Sequence, residues 1–375
     1  MPQRALASVN LAAIERNVGL LRGRLSDGSR LAAVVKADGY GHGAVPVARA
    51  ALAGGASVLA VVTAEEARQL RAAGIGAPIL LMGALSSYEL PAALASGAEL
   101  VAWSERFVDD VTAAAPERAV RVHVKLDSGL GRLGTRDRSQ AQSIAERVAA
   151  AAPALELAGA MTHFATADED LEFVARQLDA FSPFVAELRR RVPQITAHAA
   201  NSAATLREPR SHFDLVRCGI AIYGADPMNE DPAAFGLEPA LELTSYVAAV
   251  KLARPGESAG YGRRFIAECD TWIGTVPIGY ADGIRRTLSN NCDVLVGGRR
   301  CPLVGTVSMD NITIDLGPEA TARPGDLATI IGAQGSERQT AEQLARRIGT
   351  INYEVLCAIS ARVPRAYHHD GEPVR

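Results

Sequence analysis

Ala33-Val34-Val35-Lys36-Ala37-Asp38-Gly39-Tyr40-Gly41-His42-Gly43 closes an apolar, β-branched run on a lysine and passes at once into a glycine-rich turn. A buried strand offers an ammonium group nothing, and Lys is seldom taken out of water without a chemical task. Desolvation lowers the pKa of a lysine and frees its amine as a nucleophile or base. That is the property needed to form a Schiff base with a carbonyl cofactor. A solvated strand end is the competing reading. The apolar run before Lys36 and the Gly-Tyr-Gly turn after it speak against that.

The strand-then-turn unit recurs. A helical pattern covers 10–25, with Leu11, Ile14, Val18 and Leu21 on one face. Strand-like apolar runs follow at 31–36, 58–63, 78–83, 99–104, 120–126, 155–162, 195–201 and 215–223. Helical patterns rich in Ala, Glu, Arg and Leu separate most of them, as at 64–73, 139–151 and 171–191. The segment between the last two runs is short and polar, and its helix stays open. Strands alternating with helices predict a parallel sheet, and eight such units in about 225 residues predict a (β/α)8 barrel. An open doubly wound sheet is the rival, but no GxGxxG follows an early strand.

Pro227, Pro232, Gly236 and Pro239 mark a linker. Strand signals dominate beyond it, at 241–252, 271–277, 293–296, 301–307, 311–315 and 327–331. One helix is predicted over 340–348, with Thr340 as its cap and Gln343 completing a modest capping box. The expected fold class is α/β: a (β/α)8 barrel over 1-232, then a smaller mainly-β domain over 233-375.

The composition sets limits. Of 375 residues, 48% are hydrophobic and 22% charged, and the net charge is −3, which argues against a general nucleic-acid binder. Cys218, Cys269, Cys292, Cys301 and Cys357 are odd in number and lack CxxC spacing, so neither a disulfide framework nor a zinc site is expected, and no metal. Reduced thiols point to the cytoplasm. No apolar run reaches about 18 residues and the first ten residues carry no signal-peptide core, so neither a membrane span nor export is expected.

A barrel carries its chemistry at the C-terminal ends of its strands. Those ends hold Lys36 on the first strand, Lys125 and Asp127 on the fifth, and Thr162-His163 on the sixth. The seventh ends in His198 and Asn201-Ser202, and the eighth carries Arg217 followed by Cys218-Gly219-Ile220. Singly, His163 and His198 read as structural histidines and Arg217 as a salt-bridge partner. Their shared position is the stronger signal. Ser202 and Gly219 lie where barrels bind phosphate, with a hydroxyl and backbone N–H groups available to an anion.

Further segments complete an ordered set. They are Lys125-Leu126-Asp127-Ser128-Gly129-Leu130-Gly131-Arg132-Leu133-Gly134, Met161-Thr162-His163-Phe164-Ala165, Ala200-Asn201-Ser202, Val216-Arg217-Cys218-Gly219-Ile220-Ala221-Ile222-Tyr223-Gly224, Gly260-Tyr261-Gly262-Arg263, Gly279-Tyr280-Ala281-Asp282-Gly283, Gly305-Thr306-Val307-Ser308-Met309-Asp310 and Ile351-Asn352-Tyr353-Glu354. With the Lys36 motif they span nearly the whole chain, and the whole resembles the bacterial alanine racemases, pyridoxal-phosphate enzymes with a barrel and a β-domain.

The resemblance implies interconversion of L- and D-alanine for peptidoglycan. It implies that Lys36 holds pyridoxal 5'-phosphate and serves as base on one face of the substrate Cα, with Tyr261 on the other. Free phenol and free lysine have pKa values near ~10 and ~10.4, so both must be drawn toward operating pH. His163 and Arg132 are the cations expected beside Tyr261. Arg217 would face the ring nitrogen of the cofactor. A guanidinium stays charged and only donates, so that nitrogen stays unprotonated, the ring is a weaker electron sink, and side reactions are limited. Tyr40, His163, Asn201, Ser202, Gly219, Ile220 and Tyr223 would complete the cofactor site. Arg132, Met309 and Asp310 would meet the substrate carboxylate, and Tyr261, Tyr280 and Tyr353 would narrow the entrance. Tyr261, Met309 and Tyr353 are expected from a partner subunit in a head-to-tail homodimer. Lys125 is a carbamylation candidate; the alternative is a plain lysine paired with Asp127. Rival activities are racemisation of serine or another small amino acid and, with Arg217 arguing against it, a barrel-type decarboxylase. A non-catalytic cofactor carrier built on the barrel alone would not need the residues after about 233.

Overall fold

The first strand is one the periodicity did not announce. β1 (Leu6–Asn10) precedes a helix at Leu11–Arg22, and alternates half-buried with buried residues, as a strand with one covered face must. The chain then runs through β2 (Arg30–Val34), β3 (Val58–Val61), β4 (Ile79–Leu81), β5 (Glu99–Ala102), β6 (Val120–Lys125), β7 (Leu155–Met161), β8 (Thr196–His198) and β9 (Leu215–Cys218). The computed structural model describes residues 3–114, 118–320 and 322–374.

β2 to β9 form one parallel sheet in the order β8-β7-β6-β5-β4-β3-β2-β9. The two end strands approach each other as well, because the Asp214 N–H donates to Ala197 O (3.1 Å) and the Arg217 N–H to Ala200 O (3.0 Å). The result is a nearly closed eight-stranded barrel, as the alternation predicts. Helices cover it through their apolar stripes. In Leu171–Arg191 the buried set includes Val174, Leu178, Phe181, Phe184, Val185 and Leu188, the spacing of one helix face.

The described strands are shorter than their apolar runs. Residues 220–223 form a 3-10 turn rather than the end of a strand. The polar segment before β9 does hold a helix, Ser202–Arg207, capped by the Asn201 side chain.

Two compact units are distinguished: Ile14–Gly39 with Ala44–Ile222, and the N-terminal segment to Ala13 with Tyr40–Gly43 and the chain from Tyr223 onward. The second unit is mainly β, as expected. Its sheet contains β10 (Leu241–Tyr246), which pairs antiparallel with β1, and β11 (Ala249–Ala253), so the run at 241–252 breaks into two strands. β12 (Ser258–Ala259) and β13 (Phe265–Ile266) form a separate hairpin whose loop carries Tyr261. A helix at Ala341–Arg347 starts on the Thr340–Gln343 capping box. A further helix at Asn352–Cys357 carries Tyr353. Among the described residues, no helix is long and apolar enough to cross a membrane.

Candidate active site

Lys36 stands two residues past the end of β2 and is half-buried. The backbone then turns the wrong way. Ala37, Asp38, Gly39 and Tyr40 all have φ between 50° and 60°. A left-handed residue other than glycine costs about 1–2 kcal/mol, and three of these four are not glycine. Local hydrogen bonds offset the strain. Glu66 accepts from the Ala37 N–H at 2.7 Å and from the Val62 and Thr63 N–H groups at 2.9 and 3.1 Å. Asp38 Oδ1 accepts from the Ala44 N–H at 2.8 Å. Glu66, which the sequence reading missed, therefore fixes the backbone beside Lys36 while it caps the helix Ala64–Ala72.

The other strand ends supply a cluster of cations. Burial first, then Arg217, Arg132, Lys125 and Lys36, hold the pKa of His163 well below the ordinary value. That direction favours the neutral imidazole over the cation expected beside Tyr261, and His163 Nδ1 is placed to accept from Arg217. Arg217 is fully enclosed. Its Nη2 donates to Thr162 O (2.8 Å), Ala199 O (2.9 Å) and His163 Nδ1 (3.1 Å), and its Nη1 to His198 Nδ1 (2.8 Å). Burial brings its pKa down to about 9.

Buried Lys125 is brought down to about 8 by desolvation, then by Arg217 and Arg132. Asp127 is not its ion-pair partner. That carboxylate instead accepts the Gly129 and Gly131 N–H groups at 3.1 and 2.9 Å and faces Arg136 at 3.4 Å. Past the ends of β8 and β9, Ser202 Oγ accepts from the Gly219 N–H (2.9 Å) and the Ala221 N–H (3.4 Å). Gly219 and Ile220 thus sit beside a buried hydroxyl, and Asn201 is the helix cap next to it, accepting from the Ala204 N–H at 3.0 Å.

The remaining predicted residues lie in the β-rich unit. Tyr40 stacks on Tyr223, with ring centroids 4.9 Å apart, and Tyr353 lies 6.0 Å from Tyr40. Tyr353 is thus a neighbour of Tyr40 within one chain. Burial raises the pKa of the Tyr40 phenol and keeps it a proton donor. Tyr261 is 73% exposed, and Tyr280 and Met309 are exposed too. The loop around Met309 ties the three together: Thr306 Oγ1 donates to Tyr261 O (2.8 Å), and the Tyr280 and Ala281 N–H groups donate to Ser308 O and Met309 O (3.0 and 3.1 Å). Asp310 pairs with Arg362 at 2.8 Å.

Taken as a donor set, the mouth of the barrel offers an amine, a guanidinium, a hydroxyl with neighbouring amides, and excess positive charge. That suits a ligand carrying a carbonyl, an anionic phosphate and a ring acceptor. Pyridoxal phosphate has all three.

The sequence matches the family models "Alanine racemase, N-terminal domain" over residues 9–227 and "Alanine racemase, C-terminal domain" over 240–367. It is 40% identical over 368 residues to alanine racemase 1 of Bacillus subtilis (97% of this chain, 93% of that one). It is 42% identical over 370 residues to the alanine racemase of Thermobifida fusca (97% and 98%). Among solved structures, the alanine racemase of a D-cycloserine-producing Streptomyces lavendulae superposes with a TM-score of 0.93 at 40% identity, covering 98% of both chains. The alanine racemase of Bacillus anthracis with bound L-Ala-P gives 0.92 at 38% identity, covering 100% and 97%. Two family domains in the right order and end-to-end relatives agree with the residues at the barrel mouth, and the chain belongs to the alanine racemase family.

Proposed function

We propose that this enzyme interconverts L- and D-alanine by two bases, Lys36 and Tyr261, on pyridoxal phosphate. The observation that carries this reading is the convergence of Lys36, Arg217 and His163 at one barrel mouth. Lys36, Ser202, Gly219, Ile220, Asn201, His163 and Arg217 would hold the cofactor, and Tyr40 and Tyr223 are assigned to the same task. Bound there, the cofactor would supply an electron-withdrawing system that acidifies the substrate Cα–H.

The protein's own groups do the rest. Lys36 Nζ takes or gives the proton on one face of Cα. Tyr261 Oη, from a second copy of the chain in a head-to-tail homodimer, does so on the opposite face. The exposure of Tyr261, Tyr280 and Met309 on one loop cluster supports their covering by such a copy. Arg132 offers its guanidinium to the substrate carboxylate, with the Met309 backbone and Asp310 nearby. Arg217 only donates, so it would leave the ring nitrogen of a bound cofactor unprotonated and would restrain the electron sink. Division of these tasks between 1-232 and 233-375, action in the cytoplasm and supply of D-alanine to peptidoglycan complete the proposal.

The test is a panel of single-enantiomer amino acids, serine included, assayed for loss of optical rotation with added cofactor. Alanine is expected to lead; racemisation of serine alone would overturn the assignment. In D2O, Tyr261→Phe is expected to slow solvent-deuterium incorporation from one enantiomer more than from the other. Equal loss in both directions would count against two bases.

Lys125 adds a covalent element. Burial draws its pKa down to about 8, so it is neutral more readily than an ordinary lysine; only the neutral amine adds to CO2, its N–C bond forming as one N–H proton passes to solvent. We propose that the resulting carbamate is the anion that orients Arg132. A high-resolution density map is expected to show three additional atoms beyond Lys125 Nζ, with occupancy rising as pH is raised through 8. A bare Nζ at pH 9 in dissolved bicarbonate would exclude it.

A further inference from the structure

Among the described residues no carboxylate pairs with buried Arg217, yet a hydrogen-bonded path leads from it to one. Nη1 reaches His198 Nδ1 at 2.8 Å. His198 Nε2 lies 2.8 Å from His123 Nδ1, and His123 Nε2 lies 2.7 Å from Glu99 Oε2. Both imidazoles are buried, and Glu99 lies at the start of β5. The path therefore crosses four strands: β9, β8, β6 and β5.

Its polarity is fixed from one end. A guanidinium has no acceptor, so His198 Nδ1 must accept. The His198 proton then sits on Nε2 and is donated to His123 Nδ1. That leaves the His123 proton on Nε2, pointing at Glu99. Every bond runs the same way, and the last acceptor is an anion. Burial, then Arg217, keeps the pKa of His198 well below the ordinary imidazole value, which agrees with a neutral ring.

The backbone is shaped for this path. A Cβ added to Gly159 on β7 would lie 1.8 Å from His123 Nδ1. Gly159 has no left-handed backbone to account for it, so space for the imidazole is its reason. The β6–β7 pairing also shifts register between Val122 and His123, where the ring must be placed.

We propose that Glu99 is the remote counter-ion of Arg217, joined to it through His123 and His198, and that this one-way chain fixes the plane and the charge of the guanidinium. Glu99 and His123 are positioning residues; neither is placed at the substrate. The inference rests on the reading of Arg217 given above only for its effect on turnover. The groups that bear on the two ends are known. Around Arg217 stand His163, His198, Lys125, Arg132 and Cys218. Around Glu99 stand His123 and Arg121, the latter at 3.1 Å and also paired with Glu156. Hydrogen bonds from His123 and Arg121 hold the Glu99 pKa below the ordinary carboxylate value despite burial, so the end of the chain is anionic.

The test uses the full chain labelled with 15N-histidine, with signals assigned by single His→Gln substitutions. Long-range proton–nitrogen spectra at pH 7.5, without cofactor, are expected to show His123 and His198 as neutral Nε2–H tautomers. An Nδ1–H tautomer or a doubly protonated ring at either position overturns the proposal, whatever the enzyme's activity. Glu99→Gln keeps the size and an acceptor but removes the charge. It is expected to shift the His198 signals, although residue 99 does not touch that ring, and to move the alkaline limb of kcat/KM down by about half a unit. Changes confined to His123, with the alkaline limb in place, would show Glu99 to be merely structural and overturn the counter-ion role. Gly159→Ala offers an independent route, since it displaces the His123 ring without altering any charge; the same His198 shifts are expected, and their absence counts against a continuous chain.

Discussion

Lys36→Ala is expected to lower racemisation by about 10⁴-fold or more in both directions, and to remove the visible absorbance that appears when pyridoxal phosphate is joined to the protein. The reason is local. Lys36 is the amine at the barrel mouth placed next to the strained left-handed turn, and no other amine is aimed by that turn. Glu66 and Asp38 hold the backbone through main-chain N–H groups, so the turn survives loss of the Lys36 side chain. Lys36 is only half-buried, so its truncation leaves no large cavity and the variant is expected to fold. The deficit should therefore be chemical. A small primary amine added to the variant is expected to restore part of the rate, because a diffusible base can enter the space vacated by the side chain. Retention of the visible band in the variant would remove Lys36 from its role. Tyr261→Phe differs in kind: it leaves the band in place and splits the two directions.

Much of this arrangement could be read from the residues, for physical reasons that differ by position. A lysine after Ala33-Val34-Val35 is anomalous by solvation alone, and strand ends in a barrel converge by topology, so Lys36, His163, Ser202 and Arg217 stood out together. Glu66 did not. It reads as the last letter of a Thr63-x-x-Glu66 capping box, and it serves as one; its bond to the Ala37 N–H depends on how two neighbouring turns lie, which no local pattern encodes. The Glu99 path was half-visible. In Val120-Arg121-Val122-His123-Val124-Lys125, valines alternate with ionisable residues, and a period of two puts Arg121, His123 and Lys125 on one face. Arg121 and His123 do share Glu99. The pairing of His123 with His198, however, depends on register across β7 and on the space left by Gly159. β1 escaped notice for a related reason: five residues cannot show a strand's period convincingly, and its partners, β10 and residues 365–369, lie more than 230 positions away.

Arg217→Glu is expected to have the largest combined effect on stability and chemistry. The guanidinium satisfies four acceptors: buried Thr162 O, Ala199 O and His198 Nδ1, and half-buried His163 Nδ1. A carboxylate there is itself an acceptor, so each of those groups loses its donor. Removing one partner from a buried charged network costs about 3–5 kcal/mol, and thermal unfolding should move down accordingly. The two imidazoles must respond, either by exchanging tautomer or by taking up a proton from solvent, and the latter would let His198 serve as the cation. Racemisation is expected to fall by about 10²–10³-fold, the range for loss of one preorganised donor. A carboxylate would also favour protonation of a ring nitrogen facing it, strengthening the electron sink, so a new absorption band at longer wavelength is expected with substrate present. Arg217→Lys separates the causes. It keeps a cation that only donates but loses the planar fork, so it should share the loss of stability and rate without the new band. A band in both variants would trace the effect to disorder at the site, and no band in either would undermine the argument that Arg217 restrains the sink.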